Sequence, residues 1–394
     1  MRDNQKYFPV NWIDGMKINK DHFIAQDNAF TNALNDIGSL ATSPIRYGVL
    51  PSSTGGESNF NVKMAMDNQN VLRVSVLNCQ AVTPGGIRID LPVFSGNGVS
   101  DTDGVPAVSF QFTDNRTDSV WWIALSIHPY KRLPAGSPDL SENPPRYPYL
   151  VPAYSVQVIG ESQYNQYANH PYSLIIGKIN ATTSDIRIDH DYIPPCYSIN
   201  AYADLVSLHT EMDQFYSMLE TKCLIIVQNI FQRKQQNEIS ELVQFVCDRV
   251  ILHLGQAITE MRWINLHESP AFLFAGIASL ARVMKNSIDL RIGSGKEEMM
   301  NYLCEWCELK QGELETLLSN LANIRYDNND INKNINKITQ FVKVTSRLFD
   351  TLSKLEFIGK RKTEVVKALT EDRFGFAEKQ MSPTPPQPKR RFFG

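Results

Sequence analysis

An α+β chain is predicted, with an antiparallel β-sandwich first, an α-helical bundle second and a short flexible tail last, because the apolar spacing changes once along the sequence. In the first half, apolar side chains alternate with polar ones in short runs, the period of a half-buried strand. From Ala203 onwards they recur at steps of three and four and proline almost vanishes, which is the pattern of helices packed on one face. The third observation is size: 394 residues are enough for two or three domains with cores of their own.

The elements follow in order. Trp12 and Ile13 are expected to close a short strand, Asp14-Gly15 supplies turn chemistry, and Asp21 is expected to cap a helix running from His22 towards Leu34. His22 beside Phe23 reads as a hydrogen-bonded packing residue, since the seven histidines form no H-x-x-H or H-x-x-x-H pair. Strands are expected at Leu72-Val74-Val76, Ile87-Ile89-Leu91, Val108-Phe110-Phe112, Trp121 to Ile127 and Tyr154-Val156-Val158. Pro84-Gly85-Gly86, Ser95 to Gly98 and Asp114-Asn115 separate them, an arrangement of antiparallel sheets and not of βαβ units. Between His128 and Pro152 proline recurs so often that regular ladders and helices are excluded over much of the stretch; it is read as a long, stiffened loop, either interfacial or an irregular surface excursion.

The character changes at Tyr192-Ile193-Pro194-Pro195-Cys196, which divides the chain into residues 1–197, a β-sandwich, residues 198–359, a helical bundle, and residues 360–394, a short segment with a Pro-rich basic tail. Leu205, Leu208, Met212 and Phe215 carry an a/d seam, and so do Ile331, Ile335, Ile338 and Val342 in the last long helix. Such stripes are either bundle core or a seam between copies in an oligomer. Further helices are expected over 238–266, 269–290 and 294–324, with Ser269-Pro270 and the Ser294/Glu297 capping box marking two starts. The tail ends in Lys389, Arg390, Arg391, Phe392 and Phe393, either a tether with a basic-aromatic contact or an unconstrained terminus.

Composition excludes several classes. A formal net charge of -3, with Lys and Arg scattered, lacks the basic footprint of a nucleic-acid binder. No signal peptide or long uncharged apolar window is found, so no direct membrane insertion is expected and the protein is placed in the cytoplasm. The six cysteines read as reduced thiols, Cys304-x-x-Cys307 included. Arg291 to Lys296 imitates a phosphate loop, but Leu290 stands where its first Gly is needed and Glu297 where Ser or Thr must ligate Mg. Asp185, Asp189, His190 and Asp191 match no cation loop. No catalytic residue, cofactor or metal site is therefore expected.

Trp12, Asp14-Gly15 and His22-Phe23-x-x-Gln26-Asp27 resemble the opening of the TssK subunits of type VI secretion baseplates. The Ile193-Pro194-Pro195 link, and His267 to Pro270 followed by the small-residue helix to Met284, resemble later parts of the same family. The resemblance implies a non-enzymatic homotrimer whose sandwich, like the shoulder of phage receptor-binding proteins, docks on the wedge subunits TssF and TssG. It further implies a helical neck for trimerisation and a C-terminal end that meets the membrane complex at the cytoplasmic face of the inner membrane. The chain departs from the family at that end, where too few residues follow the last helix for a full head domain. The alternative is a phage or contractile-tail receptor-binding adaptor with a similar shoulder; a carbohydrate-active sandwich would need a carboxylate pair on one sheet face.

Overall fold

The computed structural model describes residues 6–52, 58–92, 105–113, 118–182, 185–291, 293, 295–307, 310 and 312–359. The tail residues Lys389 to Phe393, the Ser294 cap and the turns at 95–98 and 114–115 lie outside them. The chain opens with an extended segment and helix α1 (Lys20–Leu40), then builds two antiparallel sheets. In the first, the long strand β3 (Val71–Val82) is central: β1 (Gly48–Val49) and β2 (Phe60–Met66) pair with it, as do β4 (Arg88–Leu91) and β5 (Ala107–Gln111). Since Cys79 pairs with both Phe60 and Leu91, β2 and β4 lie on opposite edges of β3. The second sheet has the order β7-β6-β8-β9, from β6 (Val120–Ala135), β7 (Tyr149–Gly160), β8 (Ser173–Ala181) and β9 (Ile186–Ile188).

Alternation does the expected work in β3, where Leu72, Val74 and Val76 point inwards and Arg73 outwards. They meet Ile123, Leu125, Ile127, Leu174 and Ile176 of the second sheet, so the two inner faces form one sandwich core. β8 is buried on both faces, because its outer side chains, with Trp122 and Ile159, are covered by helix α2 (Glu161–Ala168) and Tyr192. The α+β prediction of a sandwich followed by helices holds.

Several local expectations change. Trp12 and Ile13 are in no strand, although the turn forms: Gly15 has φ +80° and the Met16 amide donates to the Ile13 carbonyl at 3.2 Å. The cap of α1 is Asn19 and not Asp21, because Asn19 alone keeps the extended backbone a cap needs (φ -137°) and its Oδ1 accepts from the amides of Asp21 and His22. The His22 Nδ1 accepts the Asn19 amide in return, closing a capping box. The Pro-rich stretch is not a plain loop: β6 and β7 stay paired out to Ala135↔Tyr149, with Pro129, Tyr130 and Lys131 extruded as a bulge between His128 and Arg132. Among the described residues that hairpin pairs with no other strand beyond Ser126, so Pro134 and Pro152 have a free edge to face and cost no ladder hydrogen bond.

The helical part comprises α3 (Ala203–Gln232), α4 (Glu238–Trp263), α5 (Pro270–Asp289), α6 (Lys296–Cys307), α7 (Glu313–Ala322) and α8 (Ile335–Ser353). The single helix expected over 294–324 is two, since Gly312 at φ +83° stands before α7. Ser269 Oγ does accept from the Ala271 amide ahead of Pro270. Of the two readings of the stripes, bundle core describes what the single chain does with them: Leu205, Leu208, Met212, Phe215, Ile331 and Ile338 are buried in the chain's own core, and Ile335 and Val342 pack against it. These a/d faces meet inside one chain, for example Phe215 edge-on to Phe341 at 6.0 Å. α5 is long and apolar enough, by length and composition, to cross a membrane, and half of that window is buried in this core.

Cys79, Cys196, Cys223 and Cys247 are buried free thiols. Burial pushes the Cys79 thiol up to about 12. Lys296, from the phosphate-loop lookalike, is held by Asp289 at 2.7 Å and Glu315 at 2.6 Å, so its charge serves the helix joint. Hydrogen bonds from Lys285 and Lys296 hold the Asp289 carboxyl below its usual range. A depressed folded-state carboxylate stabilises above its unfolded pKa of about 4 and loses that contribution as pH falls through the folded value. Lys296→Met is therefore expected to show a shallower loss of stability than the parent chain in urea titrations below about pH 4.

Sandwich and bundle meet through a built joint. Tyr192 to Cys196 is buried, Ile193 and Cys196 belong to the helical core, and Val49 of β1 joins them there. The Val49 amide donates to the Pro195 carbonyl at 2.8 Å, and the Tyr197 amide to the Val49 carbonyl at 2.9 Å. Tyr192 Oη donates to the Asn329 carbonyl at 2.8 Å, the Ile193 amide to Asn332 Oδ1 at 2.8 Å, and Asn328 Nδ2 to the Tyr47 carbonyl at 2.9 Å. Lys178 Nζ lies 3.0 Å from Asp330 Oδ2 and 4.9 Å from the centre of the Trp122 ring. Ser269 Oγ donates to the Ile45 carbonyl, and Arg46 pairs with Glu268 at 3.5 Å.

Candidate docking surface

The residues of the opening motif assemble a surface. Residues 6–19 run back along α1: the Tyr7 ring lies 4.4 Å from that of Tyr130, the Val10 amide donates to Gln26 Oε1 at 3.0 Å, and Trp12 lies 6.1 Å from His22 and 6.3 Å from Phe23. The bulge before Arg132 fixes the other side of the helix. Tyr130 Oη donates to Asn32 Oδ1 at 3.3 Å, Arg132 donates to Thr31 Oγ1 at 3.1 Å, and Arg132 pairs with Asp27 at 3.5 Å. At its C-terminal end the backbone of Gly38 meets that of Gly86, where a Cβ on Gly38 would stand 2.4 Å from the Gly86 carbonyl oxygen. Asp14 and Gly15 form the exposed turn between the segment and the helix.

The faces of α1 are reversed from those of an ordinary surface helix. Towards its own chain it turns small and polar residues, with Ala29 its one buried side chain. Outwards it turns Phe23, Phe30, Leu34, Ile37 and Leu40, each between 58% and 85% exposed, and Phe8, Trp12, Ile13 and Ile18 of the preceding segment are exposed as well. At roughly 100 Å² or more for each such side chain, these nine amount to on the order of 1,000 Å² of apolar surface, more than the largest patch of a typical monomer. Beyond the bulge, the hairpin of β6 and β7 exposes Leu133, Leu140, Tyr147, Tyr149 and Leu150.

What this surface offers is apolar area open to burial. Among the described residues no group of three or more His, Cys, Asp and Glu side chains is placed to hold a metal. Asp185 pairs with Arg187, and Asp189 Oδ1 accepts from the Asp191 amide in a local turn. Of the residues singled out from sequence, Trp12, His22, Phe23, Gln26 and Asp27 come together at the start of α1, while Ile193, Pro194 and Pro195 are buried in the joint far along the chain. Sequence reading missed Phe30, Leu34 and Ile37, although their spacing was visible. It also missed Lys178 and Asp330, which no motif connects.

No family model matches the sequence, and no curated protein matches it. Among solved structures, the chain is similar to a crystal structure of TssK, at 17% identity and TM-score 0.45, over 89% of this chain and 70% of that one. It is similar to TssK of the EAEC type VI secretion system in complex with a nanobody, at 14% identity and TM-score 0.41, over 83% of this chain and 99% of that one. It is also similar to a chain of a TssK-TssF-TssG baseplate subcomplex seen by cryo-electron microscopy, at 13% identity and TM-score 0.44, over 88% of this chain and 100% of that one.

Proposed function

We infer that the protein is a non-enzymatic structural subunit of a type VI secretion baseplate, a trimeric adaptor of the TssK kind that links the TssF and TssG wedge to the membrane-anchoring complex. The observation that carries this reading is the use made of the opening motif: His22, Gln26 and Asp27 are engaged in caps and hydrogen bonds that pin α1, while Trp12 and Phe23 remain exposed. A motif used in this way serves docking. TssF and TssG are the partners that the resemblance of that motif implies.

The layout supports a two-ended molecule. α3 starts at the joint and is 30 residues long, so its other end lies about 45 Å away. There Gln235 and Asn237 hold Glu356 and Ile358 by hydrogen bonds, which places the last described residues at the end of the bundle remote from the sandwich. Residues 360–394, with Lys389, Arg390 and Arg391, follow from that end, where the membrane complex is proposed to attach at the cytoplasmic face of the inner membrane.

Co-purification with TssF and TssG from the same gene cluster tests the reading. The double variant Phe8→Ala, Trp12→Ala is expected to lose at least about tenfold in wedge affinity, roughly 1.4 kcal/mol, with an unchanged melting temperature. Undiminished binding would remove the opening segment from the docking surface. Light scattering is expected to give three times the 44.7 kDa chain mass.

A further inference from the structure

Around the end of α5 the lysines are matched with acids and the arginines are not. Lys285 and Lys296 share Asp289, and Lys296 also holds Glu315. Among the described residues neither Arg249 of α4 nor Arg291, two residues past α5, enters an ion pair or donates a side-chain hydrogen bond, and the Arg291 Nε is shut off from solvent with no acceptor. What gathers them is one ring. The guanidinium carbon of Arg291 lies 4.3 Å from the centre of the Phe245 ring, and that of Arg249 lies 5.2 Å from it. The two charges therefore stand no farther apart than the Debye length of about 10 Å in 0.1 M salt, and they repel each other unless an anion joins them. Arginine in both places suits a carboxylate, because its planar fork of N–H groups can hold both carboxylate oxygens, and an aromatic ring beneath it pre-orders the fork.

The surroundings indicate what carries the carboxylate. Leu290, beside Arg291 in the chain, is 70% exposed, and Leu252, seven residues after Phe245 and so on its face of α4, is 73% exposed. Glu238 and Glu241 stand on the first turn of α4 and Glu297 and Glu298 on that of α6, all exposed, while Asp248 faces α3, where its charge acts on Cys223. An anionic membrane would meet those carboxylates together with the arginines. A narrow segment bearing both acids and apolar side chains meets the arginines and leucines alone. Phe245 is also eight residues from the cap Asn237, about 12 Å along α4, which puts the pair on the flank of the remote end and not on its tip.

We propose that Arg249 and Arg291, gathered over Phe245, form a carboxylate clamp that takes an acidic, apolar-flanked segment of a partner protein at the remote end of the bundle. This rests on the reading above that the membrane-anchoring complex attaches at that end, and it names the chemistry the complex brings there.

Fluorescence anisotropy on the full chain at low salt tests it, with a labelled short peptide of alternating glutamate and leucine as the probe. The parent is expected to bind with a Kd below about 100 μM, and Arg249→Gln, Arg291→Gln to weaken binding at least about tenfold. Phe245→Leu keeps both charges and removes the ring that gathers them, so it is expected to weaken binding as well, at a melting temperature close to the parent's. Lys337→Gln, Lys343→Gln takes the same charge from exposed positions on α8 and is expected to change nothing. No binding by the parent, undiminished binding in the arginine or Phe245 variants, or an equal loss in the lysine control overturns the clamp. Binding to phosphatidylglycerol vesicles in place of the peptide would mark a membrane site, and peptide binding seen only after deletion of residues 360–394 would make the chain's own tail the occupant; either overturns the proposal. Co-purification with TssF and TssG, read on the same variants, is expected to be retained, so a failed clamp leaves the baseplate reading standing, and a parent that fails to co-purify sinks that reading whatever the peptide does.

Discussion

Alanine in place of Gly48 is expected to destabilise the protein by about 3–5 kcal/mol, among the largest effects of any single substitution in the chain. Two penalties coincide there. Gly48 has φ +119°, a conformation that costs an L side chain strain wherever it occurs. Its added Cβ would also stand 1.9 Å from the Pro195 carbonyl oxygen and 2.1 Å from the Pro195 carbonyl carbon, both backbone atoms with no freedom to swing aside. Relief requires parting Val49 from the 195–197 segment, which breaks the two backbone hydrogen bonds that join β1 to the link. Urea unfolding of Gly48→Ala checks this; a loss under about 1 kcal/mol would show that the strands of the joint can separate at little cost.

Asp330→Ala is the second. It strands the Lys178 ammonium, whose side chain is 17% exposed, against the Trp122 ring with no carboxylate. Removing one partner of a buried pair costs about 3–5 kcal/mol, and the residual exposure here brings the expectation to about 2–3 kcal/mol. Lys178→Met removes the charge instead and keeps the stem over Trp122, so it is expected to cost less than Asp330→Ala. The double variant is expected to recover part of the loss, a non-additivity that a double-mutant cycle reads directly. Equal and additive losses would mean that the two side chains do not sense each other.

Much of the fold was legible because its rules are local. Strand alternation in β3, the Ser269-Pro270 start of α5 and the switch from period two to period three and a half all follow from short-range geometry, whereas β6 is buried on both faces from Trp122 to Ile127. What failed was the question of which way a stripe faces. Leu205 to Phe215 and Phe23 to Ile37 show the same spacing, yet one is buried against its own chain and the other is open. Periodicity establishes that a helix has an apolar side; only the rest of the fold decides what lies opposite. The hairpin past His128 failed for a related reason. Proline forbids an internal ladder position but not a free edge, and a sequence does not reveal which edges are free. Lys178 and Asp330 are 152 positions apart and were beyond any motif.

The joint between sandwich and bundle has a mechanical consequence. A bending motion there would have to break the Val49 ladder, the Tyr192 and Ile193 hydrogen bonds and the Lys178 ion pair together, and would draw Ile193 and Cys196 out of the helical core. No single soft torsion separates the two halves, so a push or a twist applied at α1 is delivered to the far turn of α3 with little lost to flexing. Among the described residues the two halves are tied together as a strut.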